Sequence, residues 1–134
     1  MKTILAFLLA VVALLSSPAL AAESANEVLF EQCKAYKRIK AKREGVGPAE
    51  LYEANSCVRY MAGAFQMHNL STNGTCAHSE KNVDQFIEEY LEYSRKGGGF
   101  LDRPQQVVVW TFLESCYCGK NDAIMRSYCP APSK

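Results

Sequence analysis

Six cysteines and two histidines are the residues of this chain best suited to specific chemistry. The cysteines stand at 33, 57, 76, 116, 118 and 129, the histidines at 68 and 78. Near the C-terminus the spacing tightens to Cys116-Tyr117-Cys118. Three chemistries compete for that pair. Cys76-x-His78 with Cys116-x-Cys118 would supply three thiols and an imidazole, a legal zinc set. A C-x-C redox centre would want an exposed, low-pKa thiol in a thioredoxin-like setting. Alternatively, the two cysteines are halves of two different disulfides. The zinc spacing does not match the common fingers, and no βαβ pattern surrounds the pair. Disulfides are therefore expected, with no metal and no other cofactor.

A nucleophile with its base is not legible. His68 falls at the end of a helical segment and His78 in a loop, and both read as solvated polar residues. No nucleophile elbow, zinc-protease helix, P-loop or dinucleotide fingerprint occurs. Gly97-Gly98-Gly99 has no strand before it and no Lys-Ser/Thr after it, so it reads as a turn. The chain is expected not to be an enzyme.

The first residues, MKTILAFLLAVVALLSSPALAAES, have a positive start at Lys2 and an apolar run from Ile4 to Leu15. Ala19-Leu20-Ala21 then forms a small-x-small cleavage site. This is the pattern of a secretory signal peptide over residues 1–21, too short for a membrane span of about 20 apolar residues. Residues 22–134 are then one domain in an oxidising compartment, expected to be a periplasm because the compact signal looks bacterial. An even number of cysteines in an exported domain reads as a disulfide framework. The net charge of +1 falls to zero without Lys2, which argues against nucleic acid as a partner.

The periodicity is helical throughout. Ser24-x-x-Glu27 forms a capping box on paper. Leu29, Cys33 and Tyr36 then mark an apolar face opposite the basic run Lys34 to Arg43, before Gly45 and Gly47. Pro48 opens a second helix carrying Leu51, Ala54, Val58, Met61, Ala62 and Phe65, with Gly63 expected at a close packing contact. Asn82-x-x-Gln85 caps a third helix with Phe86, Ile87, Tyr90 and Leu91 inward and Glu88, Glu89 and Glu92 outward. Asp102-x-x-Gln105, with Pro104 in its first turn, opens a fourth, apolar over Val107, Val108, Trp110, Thr111, Phe112 and Leu113. The tail is expected to form one short helix before Pro130. The fold class is all-α: a small four-helix domain of two helical hairpins, stapled by disulfides. The basic first helix and acidic third helix would suit self-association or a charged partner.

Hairpin geometry pairs the cysteines. Cys33 and Cys57 each lie twelve residues from Gly45, the centre of the first turn. Cys76 and Cys118 each lie 21 residues from position 97, the centre of the second. These two pairs should come level, which leaves Cys116 for Cys129. Positions i and i+2 on a helix point about 200° apart, so Cys116 and Cys118 should take different partners.

CKAY at 33–36, CVRYMAG at 57–63 and the segment TCAHSEKNVDQFIEEYLEY to FLDRPQQVVVWTFLESCYC resemble the Rap/Tai family of immunity proteins of type VI secretion systems. Cys33, Cys57, Tyr60, Gly63, Cys76, Gln85, Tyr90, Leu91 and Cys118 fall in register with its motifs over about residues 30 to 118. Arg59, Thr75, His78 and Cys116-Tyr117 depart from them, and Cys116 with Cys129 looks like an added staple. The resemblance implies a non-enzymatic periplasmic protein that binds a cognate peptidoglycan amidase toxin and blocks its cleft. It also implies a helical, commonly dimeric protein. The matched motifs do not identify the toxin contacts. From exposure and shape, a loop inserted into the cleft is expected, at 71–80 or 95–103, with Arg95, Lys96, Phe100 and Arg103 as contacts. The alternative is a small periplasmic helical chaperone, stress protein or general protein-binding module.

Overall fold

The computed structural model describes residues 25–42, 44–76, 81–120 and 123–131. The fold is all-α. Helix α1 spans Asn26–Ala41, α2 Pro48–Ser71, α3 Val83–Tyr93, α4 Gln105–Cys116 and α5 Ala123–Ser127. A single π-type turn, Ser94–Gly98, extends the end of α3. None of these helices is long and apolar enough to cross a membrane. The signal-peptide segment, Ser24 and His78 lie outside the described residues.

Helix α1 packs chiefly along α2, while α3 meets α4 through the ring pairs Phe86–Phe112 and Tyr93–Phe112. The inward residues of α3, Phe86, Ile87, Tyr90 and Leu91, recur at helical spacing and are buried. With Phe112 and Tyr117 they build an aromatic centre, in which Phe112 meets Phe86, Tyr90, Tyr93 and Tyr117 at centroid distances of 5.1–6.1 Å. Burying each such ring contributes roughly 1.5–3 kcal/mol. Leu29, Cys33, Cys57 and Met61 continue the core beneath α1 and α2.

The three disulfides are Cys33–Cys57, Cys76–Cys118 and Cys116–Cys129, and no cysteine is free. These are the pairs that hairpin geometry predicts. Cys116, the last residue of α4, and Cys118, two residues beyond it, take different partners. Their sulfurs are thereby committed, so the zinc set and the C-x-C redox pair do not form in this state.

Several local expectations need correction. The capping box forms at α3, where the Asn82 side chain accepts from Gln85 N–H and Gln85 Oε1 accepts from Asn82 N–H. It does not form at α4, where Pro104 itself is the N-cap; α1 has Ala25 as its N-cap, and Ser24 lies outside the described residues. Leu51 is exposed, because α1 covers only the Ala54–Cys57–Met61 face of α2. A Cβ on Gly63 would meet nothing within 4 Å, so this glycine is not at a close packing contact. His68 is fully buried rather than solvated. On α4, Val109 belongs to the core, while Val107 and Trp110 are exposed. The charge asymmetry is used inside the chain: Lys37 pairs with Glu88 and Lys40 with Asp84, tying α1 to α3.

Candidate partner-docking turn

The connection from α3 to α4, residues 94–104, is built from the backbone outward. Gly97 adopts φ +111°, a region open mainly to glycine. Gly98 lies flat on the Tyr93 ring, so that a Cβ there would stand 2.3 Å from it. Gly99 sits similarly against Ser94. The glycine run therefore lets the chain reverse directly on top of the last turn of α3.

The start of α1 locks this reversal. Asn26 is buried; its side-chain amide donates to Gly99 O, and its Oδ1 accepts from the Tyr90 hydroxyl at 2.6 Å. The Asn26 N–H donates to Arg103 O at 2.8 Å and the Glu27 N–H to Leu101 O at 3.0 Å. Helix N-termini leave such donors without intrahelical partners. Here the carbonyls of the turn satisfy them, so the cap of α1 comes from the far side of the sequence. Burial pushes the Tyr90 hydroxyl well above its ordinary pKa, and it remains a donor to Asn26.

The tail braces the other side. The Cys116–Cys129 disulfide ties the tail to the C-terminal end of α4. The Tyr128 ring lies against Gly97 and meets Tyr93 edge-on at 6.2 Å. Lys96 Nζ donates to Cys129 O at 3.2 Å.

Two features of the turn oppose stability. Phe100, a bulky residue, takes φ +38°, in a region that disfavours L side chains. The Tyr93 hydroxyl is buried with no hydrogen-bond partner among the described residues, and burial pushes its pKa up to about 12. Such costs persist where surrounding structure over-determines them, and they cluster at functional sites. The strained backbone presents Phe100 and Leu101 to solvent, 44% and 42% exposed.

The four expected contacts are divided by this geometry. Phe100 and Arg103 come together over a shallow groove of about 200 Å³, shared with Val107, Thr111 and Met125. Arg95 faces away, with Lys34, Lys37 and Arg38 of α1, around a separate groove of about 520 Å³ over Phe30 and Leu91. Lys96 is occupied by Glu92, at 2.9 Å, and by the tail. Of the other expected loop, residues 77–80 lie outside the described residues. Sequence reasoning missed Val107 and Met125, while Leu101 falls within the expected loop 95–103. The legible signal was the excess apolar character of α4, which carries more large hydrophobic side chains than one buried face can absorb.

No family model, curated protein or solved structure matches this chain. An apolar tip beside Arg103, on a backbone held from three sides, fits binding to a protein surface. Interface centres favour large rigid apolar anchors and arginine.

Proposed function

We propose that this protein is a periplasmic immunity protein that inhibits a peptidoglycan amidase delivered by a type VI secretion system. Residues 98–103 enter the toxin's cleft, with Phe100 as anchor and Arg103 at the rim. The observation that carries this reading is the exposed Phe100 on strained, thoroughly anchored backbone. A pre-organised knob loses little ordering entropy on binding, which suits stoichiometric inhibition. The protein performs no catalysis in this role, and its disulfides act as scaffold.

The test is a titration of oxidised residues 22–134 against the amidase encoded beside it, reading cell-wall cleavage. Stoichiometric inhibition is expected. Phe100→Ala should weaken it by a factor of about 30 or more, the range of an interface hot spot. Cleavage that continues unchanged at excess protein would refute the proposal. A second reading, a general binding module for apolar segments, has its own observation. Between α2 and α4 lies an apolar groove of about 370 Å³ containing Met67 and Trp110. It predicts broad client binding that Phe100→Ala leaves unaffected.

A further inference from the structure

At the opposite end of α4 from the docking turn, four side chains with metal-binding donors converge. His68 is fully buried near the end of α2. Its Nε2 lies 2.8 Å from Glu114 Oε1 and 3.8 Å from Cys118 Sγ. The donor atoms of His68, Cys76 and Cys118 all lie within 4.8 Å of one another. The Trp110 ring packs edge-on against the imidazole at 4.7 Å, and Lys120 Nζ holds the outer oxygen of Glu114 at 3.2 Å. The inhibitor role uses none of this. As a staple the disulfide needs no imidazole beside it, and a buried imidazole–carboxylate pair is weak evidence for stability because desolvation offsets its attraction.

We propose that this cluster is a redox-gated site for zinc or another thiophilic divalent cation, closed while Cys76–Cys118 is oxidised and opened by its reduction. A thiol reductant supplies the two electrons. The S–S bond breaks, each sulfur takes a proton, and the reductant leaves as its own disulfide. A cation then binds both sulfurs as thiolates, releasing their two protons to solvent, and binds His68 through Nε2, the imidazole proton residing on Nδ1. That exchange removes the Nε2–H from Glu114, whose freed Oε1 is already beside the same point and takes the fourth position. Two thiolates, an imidazole and a carboxylate form an accepted tetrahedral zinc set, with bonds of about 2.0–2.3 Å. Lys120 offsets the remaining negative charge. The set differs from the one considered from sequence: His68 stands in place of His78, and Cys116 is committed to Cys129.

The proposal makes one disulfide respond to zinc and leaves the other two as internal controls. Oxidised protein is equilibrated in glutathione redox buffers with and without zinc. Thiols are then trapped by alkylation, and each pair is assigned by peptide mass. With free zinc at about 100 times its Kd, reduction of Cys76–Cys118 should be favoured about 100-fold, about 60 mV for a two-electron couple. Cys33–Cys57 and Cys116–Cys129 should not move. His68→Gln, or Glu114→Gln if the first does not fold, should shrink the shift by tenfold or more. Cobalt(II) added to the reduced protein should give the intense ligand-field and charge-transfer bands of tetrahedral thiolate coordination. The proposal is overturned by no zinc effect, by an equal shift of all three pairs, by an undiminished shift in the folded variant, or by a pale octahedral cobalt spectrum.

Discussion

The two hairpins of this domain reverse through glycine-containing turns that look alike in sequence and differ in construction. Between α1 and α2, Gly45 supplies a left-handed φ of +79°, and a Cβ at Gly45 or Gly47 would meet nothing within 4 Å. Between α3 and α4, each of three consecutive glycines touches a neighbour: Gly97 the Tyr128 ring, Gly98 the Tyr93 ring, Gly99 the Ser94 side chain and backbone. Glycine serves chain reversal in both turns, through Gly45 and Gly97, and close approach in the second alone. The second is packed from below by α3, capped from one side by α1 and braced from the other by the Tyr128 ring and the Cys129 carbonyl. A surface turn with that much support, carrying a bulky residue in the left-handed region, is a built object.

The sharpest way to break this comparison is a matched pair of substitutions. Gly98→Ala drives a methyl into the Tyr93 ring, and overpacking of this kind costs about 1–3 kcal/mol or more. Gly47→Ala should change the denaturant midpoint little, because its Cβ has open space and φ is ordinary. Equal effects would erase the distinction. Next in size is the double variant Cys116→Ser, Cys129→Ser. Cross-linking over a loop this short is worth on the order of 3 kcal/mol. Hydrogen exchange should speed most at 97–103, with the amides of α1–α2 much less affected.

Phe100→Gly sharpens the comparison through sign. Removing a left-handed L residue should relieve about 1 kcal/mol of backbone strain, partly offset by glycine's greater freedom in the unfolded chain. Thermal stability should hold or rise slightly while binding to the proposed amidase target falls. A parallel loss of both would make Phe100 an ordinary packing residue. The smallest effect is in acid. The Asp84 carboxyl is held below its ordinary value by hydrogen bonds from Lys40 and Tyr36. A depressed carboxylate contributes stability that is present above its unfolded pKa and lost as pH falls through the folded one. Below about pH 4, exchange protection at the C-terminal end of α1 should therefore weaken first. The anchors of the second turn, Asn26, Tyr90 and Gly98, do not titrate there and should keep their protection.

Much of the fold was legible because it depends on local periodicity and on counting. The apolar stripe of α3, the Asn82–Gln85 box and the three disulfides follow from helical spacing and from symmetry about two turns. The sequence did not show which of the expected contacts share a surface. Phe100 and Arg103 stay together, but Arg95 and Lys96 point elsewhere, because the π-type turn and Gly97 rotate successive residues away from helical spacing. The N-terminal cap of α1 was misread because its acceptors, Leu101 O and Arg103 O, lie more than seventy residues away. Backbone carbonyls carry no sequence signal. The charge run on α1 was likewise read as available to a partner, when Glu88 and Asp84 of α3 already occupy two of its lysines.

His68 separates most clearly what the residues determined alone from what required the tertiary structure. Composition and spacing determined an all-α domain stapled at Cys33–Cys57, Cys76–Cys118 and Cys116–Cys129, because helical pitch and hairpin symmetry are local rules. Whether a histidine at the end of a helix meets water or a carboxylate depends on which helix packs over it. Here α4 and the residues just after it bring Glu114, Trp110 and Cys118 onto His68 from 42 to 50 positions away. The same holds for Phe100, whose exposure was expected but whose backbone strain was not. Only the packed arrangement of α1, α3 and the tail can hold a residue where its own conformational preference would not place it.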